Sequence, residues 1–342
     1  MVFDLWSLYA KMLESRLFEE GVARLWQDGL ISGEMHLGTG EEAIIAGVIA
    51  HLQEGDTMAL DHRGTAALLM RGEDPVSLLQ EMLGRSDGLC GGMGGHMHLF
   101  SKKALAASSG IVGAAGTTAA GFAVSAQYLH PGSIAVAFFG EGAVNEGMMM
   151  ESMNLAVAWE LPVLFICKDD GWAITTRSAR VSGGDLNARA IGFGLPVVEV
   201  DGCEVDQVWE AVRVAVERAR SGRGPTFLHA RCVHLEGHFL GFPLTRVVRD
   251  PLGEMPKIAV ELTGSILRRG GGRISERLAG LKEVIAAVLS TLRDPCRDPA
   301  YDPVQRVRKR LLSDVVRLQE LENQIEQKVS AAIASSLTEV QA

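Results

Sequence analysis

Cysteine is scarce in this chain of 342 residues, and its five copies, Cys90, Cys167, Cys203, Cys232 and Cys296, form no Cys-x-x-Cys and no metal-ligand spacing. An odd, scattered set in a chain of this length argues against a disulfide framework and reads as reduced and intracellular. No apolar run is long enough to span a bilayer, and the amino terminus lacks the basic-then-apolar order of a signal peptide, so a cytoplasmic location is expected. A basic excess is missing as well. Lys and Arg number 33 against 42 Asp and Glu, and the net charge of −9 argues against a nucleic-acid footprint. There is no internal repeat and no low-complexity segment. What remains, 47% hydrophobic and 22% charged, is a globular composition with ample core.

The most informative stretch runs from Gly140 to Trp172. Residues 133–139 form a short apolar run bounded by Pro131-Gly132 and Gly140, which suits a buried parallel strand. Residues 147–160 carry Met149, Met153, Ala156 and Val157 at helical spacing, and Pro162 marks the stop. A second buried strand follows at 163–167. Strand, glycine-rich turn, helix and strand make a βαβ unit, and such units place ligands beyond the carboxyl ends of the strands. At those ends stand Glu141 and the pair Asp169-Asp170, with twenty-six residues (143–168) between Gly142 and Asp169. Adjacent parallel strands bring these acids together, and like charges raise each other's pKa unless a cation lies between them. A divalent ion carrying phosphate oxygens satisfies that arrangement. The glycines let backbone N–H groups approach an anion, which the helix amino end also favours. An ordinary βα turn with solvated acids is the other reading of the same spacing.

This stretch resembles the thiamine-diphosphate motif, Gly-Asp-Gly followed some two dozen residues later by Asn-Asn. More closely, it is similar to the α subunit of the decarboxylating first component of 2-oxo acid dehydrogenases of the pyruvate and acetoin type. The resemblance implies that Glu141, Asp170 and the carbonyl of Trp172 hold Mg²⁺, or another divalent ion, against the diphosphate, with Gly142 and Ala143 beside it. Two side chains depart from the pattern. Glu141 reaches about 1.5 Å further than Asp, and Asp170 adds a charge where the family has an amide.

The resemblance extends along the chain. Residues 35–43 are similar to the family's His-Leu-x-x-Gly-Gln-Glu-Ala, with Glu41 in place of Gln, and His36 and Glu42 are read as structural. A strand at 57–61 ends at His62-Arg63. The fork of an arginine there matches phosphate oxygens, a surface arginine being the plainer alternative, and the resemblance implies that both residues contact the diphosphate. Thr65-Ala66-Ala67 replace the His-Gly and further His that the family has near the reacting end of the cofactor. The glycine-rich run 84–100 resembles Gly-Lys-Gly-Gly-Ser-Met-His, with Met93 and His96 substituted and His98 retained. It is read as a structured connection rather than a hinge or a metal-binding histidine pair. Gly110-Ile111-Val112-Gly113 implies main-chain contacts from Gly110 and Val112 to the cofactor's aminopyrimidine ring. Gly237-His238-Phe239 implies a histidine near the diphosphate and the reacting centre, making His238 the candidate catalytic residue. Phe242 replaces the acid that follows in the family.

The expected fold is α/β, an open, mostly parallel sheet with helices on both faces, the diphosphate-binding type of thiamine-diphosphate fold. Helices are expected at 3–28 and 205–220, further strands at 195–201 and 225–233, and a polar loop over the site at 174–187. A domain of residues 1–250 and a helical tail of residues 251–342 are expected, with an insertion at about 257–298 and helical spacing at 302–337 that resembles the family's closing helices. By resemblance the chain is an α subunit that cleaves a C–C bond next to a carbonyl using thiamine diphosphate. The triggering acid comes from a separate β subunit, in a heterotetramer of two α and two β chains, and the acyl group passes to a lipoyl-bearing partner. Two other readings stand beside it: a thiamine-dependent ketol or acyl transferase delivering a two-carbon unit to a carrier protein, and a non-catalytic scaffold subunit.

Overall fold

The computed structural model describes residues 2–174, 176–241 and 298–338, with isolated positions between 260 and 282. Phe242, most of the 257–298 insertion and the segments 258–269 and 273–293, whose apolar spacing predicts helices, lie outside the described residues.

The chain opens on α1 (Leu5–Gln27), whose first turn is capped by the Asp4 carboxylate accepting from the main-chain N–H groups of Trp6 and Ser7. After α2 (Glu42–Ile49) come strand β1 (Thr57–Leu60), helices α3 (Thr65–Met70) and α4 (Pro75–Met82), and the short strands β2 (Phe100–Ser101) and β3 (Ala106–Ser108). Helix α5 (Ala114–Leu129), β4 (Ala135–Gly140), α6 (Gly147–Ala158) and β5 (Val163–Asp169) complete the βαβ unit. Beyond lie a small hairpin of β6 (Trp172–Ala173) and β7 (Thr176–Arg177), then α7 (Leu186–Phe193), β8 (Val197–Asp201), α8 (Val205–Arg220) and β9 (Thr226–Arg231). The tail contributes α9 (Pro303–Leu311) and α10 (Val315–Thr338).

Seven strands form one sheet in the order β2-β3-β1-β4-β5-β9-β8, parallel throughout except for the edge strand β2. Alternation along the central strands divides the core in two. Val136 and Phe138 of β4 and Leu164 and Ile166 of β5 face α1, α2 and α8. Ala135, Ala137 and Phe139, with Val163, Phe165 and Cys167, face α5, α6 and α7. Both faces are therefore covered, as a parallel sheet of apolar strands requires. Alanines on α5 bring that helix close to the sheet, and Gly113 begins it at φ +86°. A Cβ at Gly113 would meet Glu146 at 2.9 Å, so both backbone angle and space demand glycine there.

The structure corrects the expected loop over 174–187 and divides the helical stretch expected at 302–337. The first holds β7 and the start of α7, a helix with only Ala190 buried, whose weak apolar stripe hides it from periodicity. The second divides at a tight turn, Leu312–Asp314, which lets α10 fold back against α1. Among the described residues no helix is long and apolar enough to cross a membrane.

Candidate active site

The carboxyl ends of β1, β4, β5 and β9 meet at one edge of the sheet, and the register places Gly140 beside Lys168 on neighbouring parallel strands. A cavity of about 440 Å³ opens there. His62, Arg63, Gly110, Val112, Glu141, Gly142, Ala143, Asp170, Trp172 and His238 all line it, so the residues expected to contact cofactor or metal reach one place, while Asp169 turns away to His229. Parallel strands make this convergence inevitable, because each ends at the same face of the sheet.

Glu141 is almost fully buried, and the Ser178 hydroxyl donates to its carboxylate. Burial and the negative charge of Asp170 push its carboxyl up to about 8. Asp170 differs. Burial opposes its ionisation, yet His234 holds it below the usual carboxylate range. The His234 ring spans two acids, with Nδ1 2.8 Å from Asp170 Oδ2 and Nε2 2.8 Å from Glu41 Oε1. Burial and Arg63 oppose a charge on this imidazole, but Asp170 and Glu41 outweigh them and raise it to about 9. The extra charge that Asp170 brings is thus offset by an imidazolium behind it.

A second buried cation supports the first. Lys168 Nζ lies 2.6 Å from Glu41 Oε2 and 2.9 Å from Asp61 Oδ2, with its side chain 1% exposed. An unpaired ammonium at such depth is strongly unfavourable, and the two carboxylates offset that cost. Burial works against the charge on Asp61, and Lys168 overrides it, lowering the acid to about 2. Sequence reasoning passed over Lys168, His234 and Asp61. A lysine inside an otherwise apolar strand, just before two aspartates, was the available signal.

The other end of the cavity carries imidazoles. His36, His62 and His238 each place a ring nitrogen within 4.8 Å of the others. His36, read from the sequence as structural, lines the cavity. Glu42 is structural as expected, buried against Arg16 at 2.6 Å. The spacing of the three rings would suit a metal. Burial, with Arg63 contributing in each case, lowers His36 to about 2, His62 to about 4 and His238 to about 3. Arg63 is buried, donating to the carbonyls of Leu37 and of His238, the latter at 2.7 Å. His62 Nε2 is buried without a hydrogen-bond partner. This end suits an anion, and the Glu141–Asp170 end suits a cation.

A family model described as the dehydrogenase E1 component matches residues 10–245. The α subunit of acetoin:2,6-dichlorophenolindophenol oxidoreductase from Bacillus subtilis is 40% identical over 248 residues, 72% of this chain and 74% of that one. Its counterpart from Cupriavidus necator is 36% identical over 287 residues, 83% of this chain and 86% of that one. The pyruvate dehydrogenase E1 component subunit alpha of Zymomonas mobilis is 36% identical over 255 residues, 74% of this chain and 72% of that one. With more than two thirds of its length matched, this chain belongs to the dehydrogenase E1 component family.

Proposed function

We propose that the chain is the α subunit of a thiamine-diphosphate-dependent 2-oxo acid or acetoin dehydrogenase component, and that it completes its site with a β subunit. The observation that carries this reading is the convergence of residues from separate stretches of sequence on one cavity with a cationic-ligand end and an anion end. Glu141 supplies the fit. A buried carboxyl whose pKa is raised by its burial and by a neighbouring acid is a site whose proton a divalent ion can replace. Glu141, Asp170 and the carbonyl of Trp172 would hold Mg²⁺, and His62, Arg63 and His238 would face the diphosphate. Main chain at Gly110 and Val112 would meet the aminopyrimidine ring. When bound, the cofactor supplies a carbon nucleophile and an electron store for C–C cleavage beside a carbonyl.

The residues of this chain orient and shield. Lys168 and His234 fix the acids in place, and the buried Arg63 ties the His36–Leu37 segment to the His238 loop. The names of the relatives as α subunits support a β partner. A lipoyl-bearing acceptor, a heterotetramer of two α and two β chains, and a domain of residues 1–250 with a helical tail of residues 251–342 belong to the same proposal. Calorimetric titration with thiamine diphosphate and Mg²⁺, with the β chain present, tests it. Saturable, Mg²⁺-dependent binding that Glu141→Gln weakens is expected. Absence of binding would instead favour a scaffold subunit, and full turnover of a 2-oxo acid by the chain alone would refute the need for a partner.

A further inference from the structure

His96 Nε2 receives two contacts from one residue. The main-chain N–H of His36 lies 3.2 Å from it, and so does His36 Nδ1. The rings lie nearly parallel, 20° apart. A main-chain N–H can only donate, so His96 Nε2 carries a lone pair. Two lone pairs would repel, so His36 Nδ1 must carry the proton of its ring. The other nitrogen, His36 Nε2, is then bare. With the far side of His36 taken by His96, its ring meets His62 and His238 edge-on, with ring centres 4.7 Å and 5.2 Å away, and it lines the cavity. Which imidazole nitrogen is free is set by the hydrogen bond that the other makes. His96 is 7% exposed, is held by the glycine-rich loop, and stands where the resembling pattern has serine.

We propose that His96 is a positioning residue that locks His36 as its Nδ1–H tautomer, and that His36 Nε2 thereby selects ligands with a hydroxyl to donate, the α-hydroxyketone class, over 2-oxo acids. The preference follows from donor and acceptor count. A ketonic 2-oxo acid offers a carboxylate and a carbonyl, both acceptors, and a bare nitrogen has nothing to give them. An α-hydroxyketone offers an O–H. His36 is also held neutral by its burial, so it does not turn into a donor near neutral pH. The substrate assignment rests on the functional reading above, while the tautomer stands on its own.

The test uses the full chain co-purified with its β partner. With histidine labelled by nitrogen-15, solid-state NMR reads the state of each ring nitrogen, and His36→Gln identifies the His36 signals. A protonated Nδ1 and a bare Nε2 are expected in the wild type. His96→Ala should release His36 toward the opposite tautomer, and His96→Gln, whose amide oxygen accepts, should retain the original one. A bare His36 Nδ1 in the wild type, or no change in His96→Ala, overturns the positioning role. In kinetics, His96→Ala should raise KM for acetoin roughly fivefold to tenfold, the loss of one hydrogen bond, with KM for pyruvate changed by less than about twofold. An equal change for both substrates, or none for acetoin, overturns the selectivity. Failure of the wild type to bind thiamine diphosphate would overturn the functional reading and the hydroxyl preference with it, yet the nitrogen spectrum would still decide the tautomer.

Discussion

Lys168 shows how much one side chain contributes at this depth. Its ammonium is the shared partner of Glu41 and Asp61, and removing it would leave two buried carboxylates facing each other. Lys168→Met is therefore expected to cost about 3–5 kcal/mol of stability, measurable by urea unfolding. Adding Glu41→Gln should recover part of the loss. Glu141 makes a different prediction. It ionises near 4.5 in the unfolded chain and near 8 in the folded, metal-free chain. The folded state keeps the extra proton between those values, so this group makes stability fall as pH rises from about 5 to about 8. Glu19, which burial also raises to about 8, acts in the same direction. Binding of Mg²⁺ and thiamine diphosphate at pH 7 should release about one more proton from the wild type than from Glu141→Gln. The enthalpy measured in buffers of different ionisation heat reads that difference.

At the scale of elements, the glycine-rich run after α4 is held by a single acid. Glu81 is fully buried and accepts from the main-chain N–H groups of Cys90, Gly92 and Gly94 at 2.6, 2.9 and 2.6 Å. That carboxylate turns a stretch with the composition of a hinge into an ordered loop, which carries His96 to His36. Glu81→Ala is expected to cost at least about 2 kcal/mol, since three donors lose a charged acceptor. Hydrogen exchange at residues 88–98 should show faster opening before the sheet itself opens. The central strands and α8 were legible from periodicity and turn residues, within about two residues at each end. The helix α3 was not, because all of its residues are buried and no polar face marks its period.

At the scale of the molecule, the tail is part of the core rather than an appendage. Leu318, Ile325 and Val329 of α10 and Val304, Val307 and Leu311 of α9 join the cluster built on α1 and α2. Tyr9 donates to Glu322 at 2.6 Å, and Arg16 reaches Asp302 at 3.0 Å. Six buried aliphatic side chains at about 1.5–3 kcal/mol each match the whole net stability of a domain. Ending the chain before Pro303 should therefore abolish cooperative thermal unfolding and soluble expression, whereas ending it after Thr338 should leave both intact.

The amino-acid sequence by itself determined the sheet, its parallel sense and the edge at which the site lies. Those follow from short-range rules: apolar runs of strand length, a glycine turn, a helix between, and acids at strand ends. It also placed Glu141, Asp170, Arg63 and His238 at that edge. The pairing of buried charges was decided only in three dimensions. Glu41 meets Lys168 across 127 positions of chain and His234 across 193, and no local pattern encodes such partners. The same holds for His36 and His96, sixty residues apart: each looks ordinary in its own stretch, and the proton they share is assigned only when the folded loop sets one ring against the other.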